Sequence, residues 1–224
     1  MLASSTMFHE LLRTWFQWVE LWGYTGVFIL MAMESSVIPV PSELVMPPAA
    51  FWAAQGRMSM AGVILAGTAG SYFGSVLNYW VSRWVGQPVI LKYGKYIFLP
   101  AKKLALAEEW VLRFGAPGVF AARLLPVVRH LISIPAGILK MPFGRFTWAT
   151  ILGAGLWCGI LSWFGQEVIG SHPELLQSPE AMVGAIKDKM HVILAGIVLL
   201  GALYIGVQIF KKKAASPNPL LKSH

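Results

Sequence analysis

Two short stretches of this 224-residue chain put ionisable groups among strongly apolar neighbours. In ESSVIPVPSELVMPPAAF, residues 34–51, Glu34 and Glu43 stand among four prolines, Pro39, Pro41, Pro47 and Pro48. In RLLPVVRHLISIPAG, residues 123–137, Arg123 and Arg129 stand beside Pro126, His130, Pro135 and Gly137. The apolar runs around them imply membrane depth. There an ionisable side chain costs about 2.5–3.5 kcal/mol on insertion scales and is functional by default. Arginine presents a fixed fork of donors that suits phosphate. A glutamate desolvated at that depth can load and release a proton at working pH. Together the four describe a polar cavity for an anionic head group, with proton coupling. A plainer reading has the glutamates paired with the arginines, holding two parts of the chain together. A buried pair is weak evidence of stabilisation, although breaking one is costly. The readings are compatible, because a pair can open when phosphate arrives.

The elements that position these groups must interrupt a helix. Proline removes a backbone donor and breaks helices. Inside a bilayer such backbone survives only where protein buries it or water lines it. Each stretch is therefore predicted to be a re-entrant hairpin, shaped by Pro39, Pro41, Pro47 and Pro48 in the first case and by Pro126, Pro135 and Gly137 in the second. The composition agrees with a membrane setting. The chain is 56% hydrophobic and 12% charged, with mean hydropathy +0.62, whereas a soluble domain is about one quarter charged. The expected fold is an all-α polytopic membrane protein of one domain, residues 1–210, followed by a basic stop and a disordered cytoplasmic tail, 211–224. No signal-peptide pattern opens the chain, so its segments are expected to remain. The net charge of +8 lies at the ends of apolar segments. That fits topology rather than nucleic acid.

Residues 8–22 place Glu10, Arg13, Gln17 and Glu20 on one face and apolar residues on the other, an interfacial amphipathic helix, with the first turns of a spanning helix as the alternative. Residues 60–83 form an expected span with small residues Ala66, Gly70 and Gly74 for close packing. Residues 146–166 form another, with Gly155-x-x-x-Gly159, and 191–210 a last one of about 20 residues. WVELWGYTGVF (18–28) returns as WVLRFGAPGVF (110–120). The prolines and the small-residue helices follow in the same order. This predicts a repeat, 8–86 and 103–170. Lysine and arginine mark the cytoplasmic side. Putting the C-terminal tail there makes the two halves inverted, with hairpins that enter from opposite faces. Inverted repeats whose broken segments meet near the midplane are a transporter signature.

Several runs carry a family resemblance: ESSVIPVPSE, GTAGSYFGSVLNYWVSRWVG, KYGK at 92–95, and above all FAARLLPVVRHLISIPAGILKM at 120–141. Over residues 15–170 the chain resembles the DedA family, also called the SNARE-associated or VTT-domain family, of bacterial inner-membrane proteins. The resemblance implies two facing re-entrant hairpins and a role in lipid homeostasis and envelope maintenance that depends on the proton-motive force. It implies a flippase recycling undecaprenyl phosphate, or a phospholipid scramblase such as one for phosphatidylethanolamine. It marks Glu34, Glu43, Arg123 and Arg129 as the essential positions. Some members carry a further acid after the second glutamate, where this chain has Phe51, Trp52 and Ala53.

Smaller signals are read plainly. Asn78, Tyr79 and His130 are candidates for lining the cavity, with polar packing as the alternative. Cys158 is the single cysteine and is expected to pack as a small apolar residue. The tryptophans are expected in interfacial belts. No cofactor or metal is expected, and the His residues form no zinc-like grouping. An enzyme is disfavoured, because no Ser/His/Asp grouping or HExxH motif occurs. A non-transporting envelope scaffold is the alternative from another class. The expected partners are membrane lipids, a polyprenyl phosphate or a phospholipid, and protons, and a homo-oligomer is compatible with the sequence.

Overall fold

In the computed structural model the described residues are 14–15, 17–36, 41–93, 101–125, 128–129 and 131–171, without the side chains of 87–93, 101–103 and 168–171. All lie in the first of two units of the chain, Met1–Ile186. The expected span 191–210, the tail, Pro39, Pro126 and His130 fall outside the described residues, as do residues 8–13 and 16 of the amphipathic segment 8–22, whose residues 14–15 and 17–22 are helical. Among the described residues every regular element is helical. They are α1 (Tyr24–Glu34), a 3-10 turn (Ser42–Leu44), α2 (Met46–Ala54), α3 (Met60–Tyr93), α4 (Ala101–Arg123), α5 (Ser133–Ile138) and α6 (Phe143–Ser171).

Two stretches, Met60–Gly86 in α3 and Phe143–Glu167 in α6, are long and apolar enough to cross a membrane. Each keeps an apolar outer face at helical spacing: Phe73, Leu77, Val81 and Trp84 on α3, and Trp148, Leu152, Leu156 and Trp163 on α6 are exposed. Large apolar faces left bare suit a lipid surround. The α3 helix runs past the expected end at 83 and bends at Gly86, whose φ is 76°.

The two broken segments are shared between these long helices. α1 lies on α3 and α2 lies on α6, while the end of α4 lies on α6 and α5 lies on α3. Glycines set each approach. A Cβ at Gly70 or Gly74 would come within 2.2 Å of the Phe28 or Ala32 carbonyl oxygen. A Cβ at Gly137 would meet the Tyr79 carbonyl oxygen at 2.3 Å, and one at Gly165 would meet Pro47 Cα at 2.4 Å. The expected Gly155-x-x-x-Gly159 face of α6 is not used this way. A Cβ at Gly159 meets nothing within 4 Å, and one at Gly155 reaches Thr68 only at 3.6 Å. Gly153 and Gly165 take over because α6 serves two partners, α4 and α2, at two different heights.

Proline acts differently from the sequence expectation. Pro47 and Pro48 sit in the first turn of α2, and Pro135 sits in the first turn of α5. There the missing N–H has no helical partner to lose. These prolines begin helices after a break rather than breaking them. Pro41 caps the 3-10 turn in extended conformation. The joints that precede the broken segments are glycines. Gly23 has φ 52° and ψ −124°, and Gly115 has φ 56° and ψ −135°. These two positions are the aligned glycines of WVELWG and WVLRFG. Only a residue without Cβ takes that backbone readily.

Candidate functional site

Glu34 is the last residue of α1 and Arg123 the last of α4, so both stand where helical backbone stops. The breaks bring three of the four expected charged residues into the interior: Glu34 is 6% exposed, Arg123 2% and Arg129 5%. Glu34 Oε2 forms an ion pair with Arg129 Nη2. Its Oε1 accepts from the Ser42 N–H at 3.0 Å. One carboxylate thus ties the first break to the second and closes its own loop. The Arg129 guanidinium also lies over the Trp157 ring, 5.1 Å from the centroid. The Trp157 Nε1–H donates to Ser42 Oγ at 3.3 Å. Glu34, Arg129, Trp157 and Ser42 therefore close a ring of contacts. Glu43 is partly buried beside them, and the charges of Arg129 and Glu34 both act on it.

Arg123 is held differently. Its Nη2 donates to Ser75 Oγ at 2.5 Å and to Ser133 Oγ at 2.8 Å. Its Nε–H is buried with no partner. Among the described residues no carboxylate forms an ion pair with it. A buried donor without an acceptor costs about 1–3 kcal/mol, and more when charged. Two hydroxyls on α6, Thr150 and Ser162, are also buried without a partner.

A polar seam on α3 fixes this arrangement. Ser71, Ser75, Asn78 and Ser82 are all buried and recur at helical spacing on one face. Ser71 Oγ bonds Ser35 Oγ at 2.7 Å. Asn78 Nδ2 donates to the Ser35 and Ser36 carbonyls at 2.9 and 3.0 Å, satisfying backbone that α1 leaves open at its end. The neighbouring Tyr79 OH donates to the Met141 carbonyl at 2.5 Å, on the far side of α5. Arg83 Nη1 in turn donates to Tyr79 Oη at 2.9 Å. Asn78 and Tyr79 are therefore clamps on the two broken segments. Polar packing, the alternative weighed for them, describes their contacts.

The structure thus brings Glu34, Arg129, Arg123 and Glu43 into one region, with Asn78 and Tyr79 at its edge. Sequence reasoning missed Ser42, Ser75, Ser133 and Trp157. Ser75 had a readable signal, the polar residues at 71, 75, 78 and 82 of an apolar helix. Trp157 had none. It is 1% exposed, at the core rather than in an interfacial belt, because its ring covers the guanidinium and its N–H reaches Ser42. Cys158 is fully buried.

A family model for the VTT domain matches residues 40–167. The chain is 36% identical over 151 residues to undecaprenyl phosphate transporter A of Bacillus subtilis (strain 168), covering 67% of this chain and 74% of that protein. It is 25% identical over 204 residues to undecaprenyl phosphate transporter A of Staphylococcus aureus (strain NCTC 8325 / PS 47), covering 88% and 95%. A protein named alkaline phosphatase-like, from Lactococcus lactis subsp. lactis (strain IL1403), is 32% identical over 202 residues, covering 88% and 90%. No solved structure matches the chain. The family-model match takes in α2, Arg123, Arg129 and both apolar stretches of α3 and α6, and the chain belongs to the VTT-domain, or DedA, family of membrane proteins.

Proposed function

We propose that the protein carries a lipid phosphate such as undecaprenyl phosphate across a bacterial cytoplasmic membrane, as a flippase coupled to protons. The observation that carries the proposal is Arg123, a guanidinium buried at a helix break with an unsatisfied Nε–H and, among the described residues, no ion pair. Such a group is stabilised when an anion arrives from outside the chain. Arginine suits phosphate because its planar fork takes two oxygens at once. The transporter name carried by two relatives supports the same substrate class.

In this mechanism the two broken segments are re-entrant hairpins of an inverted repeat. The shared backbone of Gly23 and Gly115 and the exchange of arms between α3 and α6 support that reading. The head group enters between the hairpins while its tail stays in lipid. Phosphate competes with Glu34 for Arg129. Glu34, freed from the pair, or Glu43 beside it takes up a proton and offsets the charge being moved. The hairpins, open to opposite faces, give alternating access. The lysines and arginines of 83–116 and of the tail support a cytoplasmic side for both.

The test is reconstitution in vesicles, following undecaprenyl phosphate across the bilayer with and without a proton gradient, beside an Arg123→Ala/Arg129→Ala variant. Crossing that needs the gradient and is lost in the folded variant is the expected result. Crossing that ignores the gradient makes the protein a scramblase. No crossing with any lipid leaves the charges as a clasp and the protein as a scaffold.

A further inference from the structure

We propose that Trp157 is a positioning residue for the exchange of Arg129 between Glu34 and phosphate: its ring face holds the guanidinium in place while neither anion does. The inference rests on the carrier reading above and deepens its head-group step.

α6 meets the two broken segments at different heights. Gly153 lies against the Arg123 stem, where a Cβ would come within 2.6 Å, and Gly165 lies against Pro47 Cα at 2.4 Å. Trp157 stands between these two approaches. Positions 153, 157, 161 and 165 recur four apart along one face of the helix, and both Trp157 and Leu161 on that face are buried. The indole is thus fixed where both segments reach α6. Its face lies 5.1 Å from the guanidinium carbon of Arg129, in the second segment. Its Nε1–H donates to Ser42 Oγ at 3.3 Å, in the first. The Ser42 N–H donates in turn to Glu34 Oε1 at 3.0 Å. One side chain of a long apolar helix therefore touches the arginine and, through Ser42, is tied to the glutamate that pairs with it.

The exchange needs a third contact of this kind. To take phosphate, Arg129 has to leave Glu34, and both side chains are buried. A buried cation between partners is costly and is drawn back to its carboxylate or out to water. A fixed carboxylate at position 157 would hold the arginine but would repel the phosphate. An aromatic face attracts a cation through its quadrupole, tryptophan most strongly, and has no net charge to repel an anion. The attraction is greatest for a lone cation, because a carboxylate beside the guanidinium cancels much of its field. The ring therefore contributes least while Glu34 is paired and most while Arg129 is in transit. That lowers the barrier to exchange more than it changes the affinity for either anion.

Two measurements on the full-length protein test this. Thermal midpoints in detergent are compared for Trp157→Leu in wild type and in Glu34→Gln, where Arg129 has lost its ion pair. The packing cost of the smaller side chain cancels between the two backgrounds. Trp157→Leu should lower the midpoint by about 5 °C more in the Glu34→Gln background, and Trp157→Phe, which keeps a ring, by a smaller margin. Turnover of undecaprenyl phosphate in vesicles is then followed against lipid concentration. Trp157→Leu should slow maximal turnover about tenfold or more, with the half-saturating concentration within about twofold of wild type. Trp157→Phe should restore most of the turnover. If Trp157→Leu does not fold, Trp157→Met takes its place in both comparisons. Equal falls of the midpoint in the two backgrounds overturn the inference, because the ring is then packing alone or Glu43 replaces Glu34 on Arg129. A ringless variant with wild-type turnover overturns it as well, and in both cases the carrier reading stands. Wild-type vesicles that move no undecaprenyl phosphate overturn the carrier reading and this role together.

Discussion

Replacing Glu34 with glutamine takes one charge out of a buried pair and changes little else. The amide oxygen can still accept from Ser42 N–H, which now lies 3.0 Å from Oε1, and the volume is almost the same. What disappears is the counter-charge of Arg129, 5% exposed. Breaking a buried pair costs about 3–5 kcal/mol, because the surviving charge stays desolvated. Two groups soften the loss. The Trp157 face remains 5.1 Å from the guanidinium, and Glu43 still acts electrostatically together with Arg129. The expected cost therefore lies at the low end, about 3 kcal/mol. At about 2–4 °C per kcal/mol for a chain of this size, the thermal midpoint should fall by about 10 °C.

The assay is thermal unfolding in detergent, followed by tryptophan fluorescence, for Glu34→Gln, Arg129→Met and the double variant. Each single variant should be destabilised. The double variant should recover most of the loss, since replacing both partners of a buried pair is often neutral. Transport should stay lost in all three. A Glu34→Gln protein as stable as wild type would refute the buried pair. A double variant that transports would refute the functional use of the pair.

Other substitutions probe the packing. Gly153→Ala drives a Cβ to within 2.6 Å of Arg123 Cβ and should cost about 1–3 kcal/mol. Gly159→Ala meets nothing within 4 Å and should gain up to about 1 kcal/mol from helix propensity; the two melting curves should move in opposite directions. Asn78→Ala strands the buried Ser35 carbonyl and the part-buried Ser36 carbonyl, Tyr79→Phe strands the buried Met141 carbonyl, and each should cost about 1–3 kcal/mol. Hydrogen exchange should then quicken at the end of α1 for the first variant and after α5 for the second. Gly23→Ala and Gly115→Ala each force a side chain onto positive φ, 52° and 56°. Each should cost about 1 kcal/mol, read as a fall in the thermal midpoint.

The long helices were readable because a run of apolar residues at membrane length has few other uses. The charged residues were readable for the opposite reason, since Glu34, Arg123 and Arg129 stand where charge is costly. What proline does was misread at Pro47, Pro48 and Pro135. Proline disfavours a helix interior and fits a first turn equally well, and the local sequence does not separate the two. The Gly155-x-x-x-Gly159 spacing was misread because a glycine motif marks a capacity for close approach, not the partner. Gly153 and Gly165 meet Arg123 and Pro47, residues distant in sequence, so their use depended on tertiary structure. The same holds for Ser133 and Trp157, ordinary residues until the fold sets them beside a guanidinium.

The two arginines separate a clasp from a binding site, and Arg123→Met brings the difference out. A clasp needs one acid and one base, and Glu34 with Arg129 already supplies it. Arg123 adds a second buried cation that forms no ion pair among the described residues. Its two serine hydroxyls each lose only an incoming donor, and Ser75 keeps its own bond to the Ser71 carbonyl, so its removal strands little. Methionine fills much of the stem volume against Gly153 and has no charge to desolvate. The gain from losing a lone cation at membrane depth, about 2.5–3.5 kcal/mol, then opposes about 1.5 kcal/mol for each of the two charge-assisted hydrogen bonds lost. Arg123→Met should therefore be about as stable as wild type, while losing phosphate binding and transport entirely. A melting point that instead drops as far as that of Glu34→Gln would make Arg123 a structural residue. The surplus positive charge would then need another explanation.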